Sequence, residues 1–326
     1  MKKYFPFLFF ALSSCVSLPK MFQTKDEIIT TAIGPEDMVV DSITELPRLL
    51  LSCSARRKSE KQYGEIFVYY TETGTNKILK RTNEPNGLLF NPHGIDLVKV
   101  NGDLILLVVN HEHIGETRIN SILRYRVLKD ELVFQNKISD PLISSPNAVT
   151  GFSDGTLLVS NDAKKQNNIW EVLFKMRKAQ IVFWNGTSCT IASEKYAFTN
   201  GITNKDGKVY LASTMQNKVW QFDFKDGKML NREVIAKANG ADNLRFDGDD
   251  LLVACHLRFL KFLKHYKDPK QLSPSTVYRI NPSTKKRTVE YFDDGRQVSA
   301  ASTAVVFRNS IYVSGIFDSK IVKREN

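Results

Sequence analysis

Short apolar runs rich in strand-forming residues recur along the chain: Leu49-Leu50-Leu51, Leu104 to Val109, Leu157-Leu158-Val159, Val209-Tyr210-Leu211, Leu251-Leu252-Val253 and Ile311-Tyr312-Val313. They lie roughly 50 residues apart, and self-similarity at that period marks an array of small supersecondary units. Behind each run comes a second segment in which apolar and polar residues alternate, at 65–69, 121–125, 168–172, 218–222, 276–280 and 320–323. A period of two predicts strands rather than helices, and dipeptides such as Asp206-Gly207 and Asn281-Pro282 supply the turns between them. Six such units read as an all-β, six-bladed β-propeller. The sixth unit is one strand short. Glu27 to Ala32 is the expected donor, an N-terminal strand that closes the ring and removes exposed sheet edges. One stretch breaks the rhythm: Ile169 to Trp184 is long for a strand, and residues 168–178 could hold a short amphipathic helix over one face.

The first residues stand outside this pattern. Met1-Lys2-Lys3 is basic, and Tyr4 to Leu12 is apolar but far shorter than the roughly 20 residues a membrane-spanning helix needs. Together they read as a signal peptide. Leu12-Ser13-Ser14-Cys15 resembles the bacterial lipobox, so Cys15 is the expected lipidation site. The predicted organisation is a signal peptide at 1–14, a lipidated linker and closing strand at 15–33, and one propeller domain at 34–326. The expected localisation is that of an exported bacterial lipoprotein, anchored to a membrane and facing the periplasm or the cell surface.

Composition adds little that conflicts. A chain of 326 residues, 42% hydrophobic and 25% charged, can bury a full core. Its formal charge is +11, but the excess is scattered over runs such as Arg56-Arg57-Lys58 and Lys261 to Lys270. No aromatic-interleaved or helix-turn-helix pattern accompanies them, so they read as solvated loop faces and no nucleic-acid partner is expected. The cysteines are Cys15, Cys53, Cys189 and Cys255. With Cys15 lipidated, the rest allow at most one disulfide, and no zinc-type Cys/His spacing exists.

The candidate chemistry lies just ahead of the apolar runs. Polar clusters there read Gly34-Pro35-Glu36-Asp37, Asn91-Pro92-His93-Gly94, Ser145-Pro146-Asn147, Thr199-Asn200-Gly201, Ala241-Asp242-Asn243 and Ala301-Ser302-Thr303. In a propeller these positions begin the innermost strand of each blade and converge on the axis. Glu36, His93, Asn147, Asn200, Asp242 and Asn243 are therefore expected to face one another. Their oxygens are hard ligands without thiolate, which favours Ca²⁺ over zinc. A second set follows the runs: Asn110-His111, Asn161-Asp162 and Cys255-His256. Three of the five histidines (His93, His111 and His256, against His113 and His265) fall on these two sets, a placement that suggests acid/base work. Gly151-Phe152-Ser153-Asp154-Gly155 fits GxSxG, but it leads into a strand, whereas a nucleophile elbow precedes a helix. His111-Glu112-His113 spaces its imidazoles two apart and is a weak zinc candidate.

The ordered segments GPEDM, FNPHGI, LLVVNH, FTNGI, ADN and VACH resemble the serum paraoxonase/arylesterase family of calcium-dependent lactonases over roughly residues 34–321. The resemblance implies a six-bladed propeller. It places the catalytic calcium on Glu36, Asn147, Asn200, Asp242 and Asn243, the proposed dyad on His93 and His111, and pocket-wall roles on Phe198, Asp162 and His256. It also implies a second, structural calcium on Asp37 and the carbonyl near Ile95. The third-blade carboxylate of that site is replaced by Ala148, which makes its occupancy doubtful. The family's ring-closing disulfide has no counterpart in Val322 to Asn326. The segment Ile169 to Lys178 matches poorly, and substrate preference is expected to diverge there. The expected function is Ca²⁺-dependent hydrolysis of small-molecule lactones and aryl esters. The alternatives are a non-catalytic propeller that binds a protein or ligand, and a sugar-lactone hydrolase on the same scaffold.

Overall fold

A computed structural model describes residues 26–325, apart from 58, 62, 116 and 167. The signal peptide, the lipobox and Cys15 lie outside the described residues. The strands form six antiparallel sheets arranged as the blades of a propeller. From the axis outward, blade 1 runs Pro35–Asp41, Arg48–Ser54, Gly64–Tyr70 and Asn76–Ile78. Blade 2 runs Pro92–Val100, Asp103–Ile114, Thr117–Val127 and Glu131–Ile138, with Lys80–Thr82 added in parallel at its rim. Blade 3 comprises Pro146–Gly151, Leu157–Asn161, Ile181–Trp184 and Cys189–Ile191. Blade 4 comprises Thr199–Lys205, Lys208–Ser213, Lys218–Lys225 and Lys228–Lys237. Blade 5 comprises Ala241–Asp247, Asp250–His256, Ser275–Ile280 and Arg287–Asp293. Blade 6 takes Ala301–Phe307, Ser310–Gly315 and Lys320–Glu325 from the C-terminal end and Glu27–Thr30 from the N-terminal end.

The apolar runs are continuous because both faces of each second strand are covered. Leu104, Leu106 and Val108 pack toward blade 1, while Ile105, Leu107 and Val109 pack toward blade 3. Corresponding clusters fill the other interfaces between blades, so the core is a ring of slabs and not a single centre. Each fully buried Leu, Ile or Val contributes about 1.5–3 kcal/mol. Closure follows the expected route. Glu27 to Thr30 pair with Lys323 to Lys320, and an Arg324–Asp26 ion pair at 2.6 Å pins the outer edge beneath Tyr291.

Two elements differ from the sequence pattern. Asn168 to Val172, assigned from its alternation to the next strand of blade 3, lies instead in the short helix α1 (Ile169–Leu173), in line with the helix expected within 168–178, and the strand is Ile181–Trp184. Local bonds explain the difference: the buried Glu171 carboxylate accepts from the Lys164 amide at 2.9 Å and Asn168 Nδ2 at 3.1 Å, which winds the segment. The basic stretch of blade 5 contains a second helix, α2 (Phe259–Lys267), which lays Phe262 on His256 and on Phe317.

Candidate active site

Every innermost strand begins with a break in register against its neighbour. The breaks fall between Pro35 and Asp37, Pro92 and Ile95, Pro146 and Ala148, Thr199 and Ile202, Ala241 and Leu244, and Ala301 and Thr303. A bulge leaves residues out of the ladder and re-aims their side chains. The residues left out are Glu36, His93, Asn147, Asn200, Asp242 and Asn243, together with Gly94, Gly201 and Ser302. Six bulges at one level of a ring thus turn the expected site residues out of their sheets.

The structure brings several of them into direct contact. Asn243 Nδ2 donates to Glu36 Oε1 at 3.1 Å, and Ser302 Oγ reaches Glu36 Oε1 at 3.2 Å and Asp242 Oδ2 at 2.9 Å. Asp242 Oδ2 also lies 2.7 Å from His256 Nε2. On the other side, Asn200 Nδ2 donates to Thr214 Oγ1 at 3.2 Å. These amides spend their N–H groups on the protein and keep their oxygens free. Glu36 Oε2, Asn147 Oδ1, Asn200 Oδ1 and Asn243 Oδ1 are all buried without a hydrogen-bond donor. An unpaired buried polar atom costs about 1–3 kcal/mol, so four on one ring need a common partner. Burial pushes the Glu36 carboxyl up to about 8; Arg56 opposes that shift, and Asp37 and Asp242 add to it. Hard oxygens, a strained carboxylate and a second acid alongside fit a divalent cation such as Ca²⁺.

The other expected metal position is different. Asp37 accepts from the Met38 and Ile95 amides at 2.8 Å each and from Thr303 Oγ1 at 2.9 Å. Arg245 Nη2 lies 2.7 Å from both Asp37 oxygens and 2.7 Å from the Ile95 carbonyl, and its Nε donates to the Met38 carbonyl. A guanidinium therefore holds both groups that a second calcium would need. Those residues do not fit an additional cation.

His93 and His111 lie side by side, with ring centroids 5.1 Å apart. Asn120 Nδ2 donates to the Ser144 carbonyl, which turns Asn120 Oδ1 to His111 Nδ1 at 2.9 Å. That nitrogen must carry the hydrogen, leaving the Nε2 lone pair of His111 open. Arg56 Nη2, which can only donate, stands 3.4 Å from His93 Nδ1, so the lone pair of His93 is there and its Nε2–H faces Glu36 Oε1 at 3.7 Å. Burial holds both imidazoles well below their usual range, and the nearby arginines lower them further. Both are neutral at pH 7.

Asp162 accepts from Ser145 Oγ at 2.5 Å, and burial pushes it up to about 6. Phe198 is half-buried with φ of 54°, a left-handed backbone that is costly for a bulky residue and typical of functional sites. A cavity of about 500 Å³ opens against His93, His111, Asp162 and Arg56. Arg56 and Ser302 were not expected as site residues. Ser302 was visible in the last polar cluster, whereas Arg56 sat in a basic run that reads as a solvated loop. Ser153 of the GxSxG match lies in a hairpin turn closed by the Phe152–Thr156 pair, and Glu112 is tied to Lys137 and Ser121.

The fold and this site define a propeller that presents a ring of buried, donor-less oxygens beside a pair of imidazoles. The arylesterase family model matches residues 58–322, and the chain belongs to the arylesterase family. At family level it is a lactone or ester hydrolase. Among solved structures it is similar to a gluconolactonase from Xanthomonas campestris (13% identity, 92% of this chain and 90% of that one, TM-score 0.60). It is also similar to the PQQ-bound aldose sugar dehydrogenase from Streptomyces coelicolor (12% identity, 93% and 98% covered, TM-score 0.53). A third similar chain comes from a nidogen/laminin complex (15% identity, 82% and 85% covered, TM-score 0.51). At such identities these likenesses speak for the fold alone. A search of curated protein sequences finds no match to the chain.

Proposed function

We propose that this arylesterase-family chain is a calcium-dependent hydrolase of lactones and aryl esters, with one Ca²⁺ held by Glu36, Asn147, Asn200, Asp242 and Asn243. The observation that carries the proposal is the set of buried, donor-less oxygens on Glu36, Asn147, Asn200 and Asn243. Two carboxylates match the ion's charge, and six to eight oxygens is the usual shell of calcium. When bound, the ion supplies Lewis acidity that polarises a substrate carbonyl. The chain's own residues supply the rest. Ser302 holds Glu36 and Asp242 in register, and His256 orients Asp242 from the other side. The His93–His111 pair takes the proton of a water that attacks the carbonyl carbon, and the same proton goes to the leaving alkoxide. Asn120 fixes the tautomer that leaves the His111 Nε2 lone pair open, and Arg56 holds His93 through its Nδ1.

Hydrolysis of a panel of aliphatic, aromatic and sugar lactones and aryl esters, with and without EGTA, tests the reading. Sugar lactones belong in the panel because a gluconolactonase shares the scaffold. Turnover that stops in EGTA and returns with Ca²⁺ is expected, and turnover indifferent to the chelator would sink the proposal. Within that assay, His93→Gln should lower turnover by about 10²–10⁴-fold, the usual range of a general base, while its Ca²⁺ affinity is preserved. Asn200→Ala should weaken Ca²⁺ binding and activity together. Near-native turnover in His93→Gln would remove the dyad and leave the metal mechanism standing.

A further inference from the structure

The hydrolase reading leaves the substrate class open, and the cavity wall narrows it. The cavity of about 500 Å³ is the size of a small-ligand site, and its lining includes Arg56, Arg57 and Arg118 beside His93 and His111. The three guanidinium groups are differently committed. Arg57 is used internally: it pairs with Glu60 at 3.3 Å and Asp318 at 3.7 Å and sits 4.7 Å from the centre of the Phe317 ring. Arg56 places its shorter bonds on the Ser54 and Pro92 carbonyls, at 2.8 and 3.1 Å, and approaches Glu36 only to 3.7 Å.

Arg118 is held by neutral groups. Its Nε donates to Gln166 Oε1 at 2.7 Å and its Nη2 to Ser145 Oγ at 2.9 Å, while Gln166 Nε2 returns a bond to the Arg118 carbonyl at 2.9 Å. Among the described residues no ion pair within 4.0 Å involves Arg118. The acid at the same corner, Asp162, reaches it through the shared Ser145 hydroxyl. The remaining wall acid, Glu60, is engaged by the Arg56 and Arg57 amides at 3.0 and 2.9 Å as well as by Arg57 itself. The result is an oriented, half-buried guanidinium whose charge no carboxylate contacts directly, on a wall richer in cations than in free anions. Arginine's planar fork suits carboxylate and phosphate oxygens, and burial raises the value of such contacts.

We infer that the preferred substrates are lactones or esters bearing an anionic oxygen group, a carboxylate or a phosphate, received by Arg118 with Arg56 on the same cavity wall. This inference rests on the hydrolase reading and deepens it. The test compares 4-nitrophenyl hydrogen adipate with neutral 4-nitrophenyl hexanoate, which share a leaving group and nearly share a length. The wild type is expected to favour the anionic ester at least tenfold in kcat/KM, through KM. Arg118→Gln should bring that ratio close to one, and Arg118→Lys should keep part of it. An equal or inverted preference in the wild type, or an Arg118→Gln loss that is the same for both esters, overturns the inference. If neither ester is turned over, the lactone panel decides the hydrolase reading, and calorimetric binding of adipate dianion decides the anion site on its own. Binding by the wild type that is weakened tenfold or more in Arg118→Gln supports it, and no binding by the wild type overturns it.

Discussion

Glu36 bears the sharpest electrostatic conflict in the channel. Its carboxyl is buried, sits near Asp37 and Asp242, and has Arg56 at 3.7 Å as its counter-charge. A value raised to about 8 means that the group holds a proton at pH 7 when no cation is present. Calcium requires the carboxylate, so binding must expel that proton. The sign follows: affinity should strengthen as pH rises toward 8 and level off above it. Calorimetry in buffers of different ionisation enthalpy should report close to one proton released per ion at pH 7. Release of none would mean that Glu36 is already ionised in the metal-free protein. At this scale the sequence is informative where position repeats. Glu36, Asn147, Asn200, Asp242 and Asn243 could be picked out because each lies in a polar cluster a short way ahead of an apolar run. Arg56, Arg118 and Arg245 could not, since an arginine in a basic stretch or within a strand reads as solvated until the fold closes carbonyls and carboxylates around it.

At the scale of elements, the bulge is the device that builds the site, and two glycines allow adjacent bulges to nest. A Cβ on Gly94 would lie 2.4 Å from the Asn147 carbonyl oxygen, and one on Gly201 would lie 2.6 Å from the Asp242 carbonyl oxygen and 2.7 Å from Asn243 Cα. Each glycine thus lets one blade's bulge rest against the ligand-bearing backbone of the next. Gly201→Ala should push Asp242 and Asn243 away from Asn200. The expected result is at least tenfold weaker Ca²⁺ binding by calorimetry, with a stability loss of about 1–3 kcal/mol, the usual cost of overpacking. Unchanged calcium affinity in a folded Gly201→Ala protein would show that the blades can part without disturbing the site. The helices mark where pattern reading fell short. In α1 the helix expected within 168–178 is present, but Asn168 to Val172 also alternates and so reads as a strand as well. In α2 the signal was present, since Phe259, Phe262, Leu263 and Tyr266 follow i, i+3, i+4, i+7 spacing, but the interleaved lysines drew the reading toward a solvated loop.

At the scale of the whole molecule, the period of the apolar runs made the six-fold ring legible from sequence, because every blade needs a strand covered on both faces. The expected lipid anchor lies outside the described residues. From Leu12-Ser13-Ser14-Cys15 the wild type is expected to enter the detergent phase of a Triton X-114 partition when expressed in a lipoprotein-processing bacterium, and Cys15→Ala to remain aqueous. Two aqueous proteins would rule the anchor out. What holds the centre of the ring can be argued from the described residues. Arg245, from blade 5, binds Asp37 and the Met38 carbonyl in blade 1 and the Ile95 carbonyl in blade 2, while Thr303 of blade 6 donates to the same Asp37. One guanidinium therefore ties three blades directly and a fourth through Asp37, at the position where the family resemblance implies a structural ion. Because this cation is covalent, chelation should not remove it. Metal analysis after dialysis against trace calcium should give close to one ion per chain, and EGTA should abolish activity while leaving the circular dichroism of the ring in place. Arg245→Ala would strand a buried carboxylate, at an expected cost of about 3–5 kcal/mol. Restoring the missing acid in Arg245→Ser/Ala148→Asp should convert that loss into a calcium-dependent stability, with a second ion per chain. A wild-type stoichiometry of two, or a ring that unfolds in EGTA, would mean that Arg245 does not replace the ion.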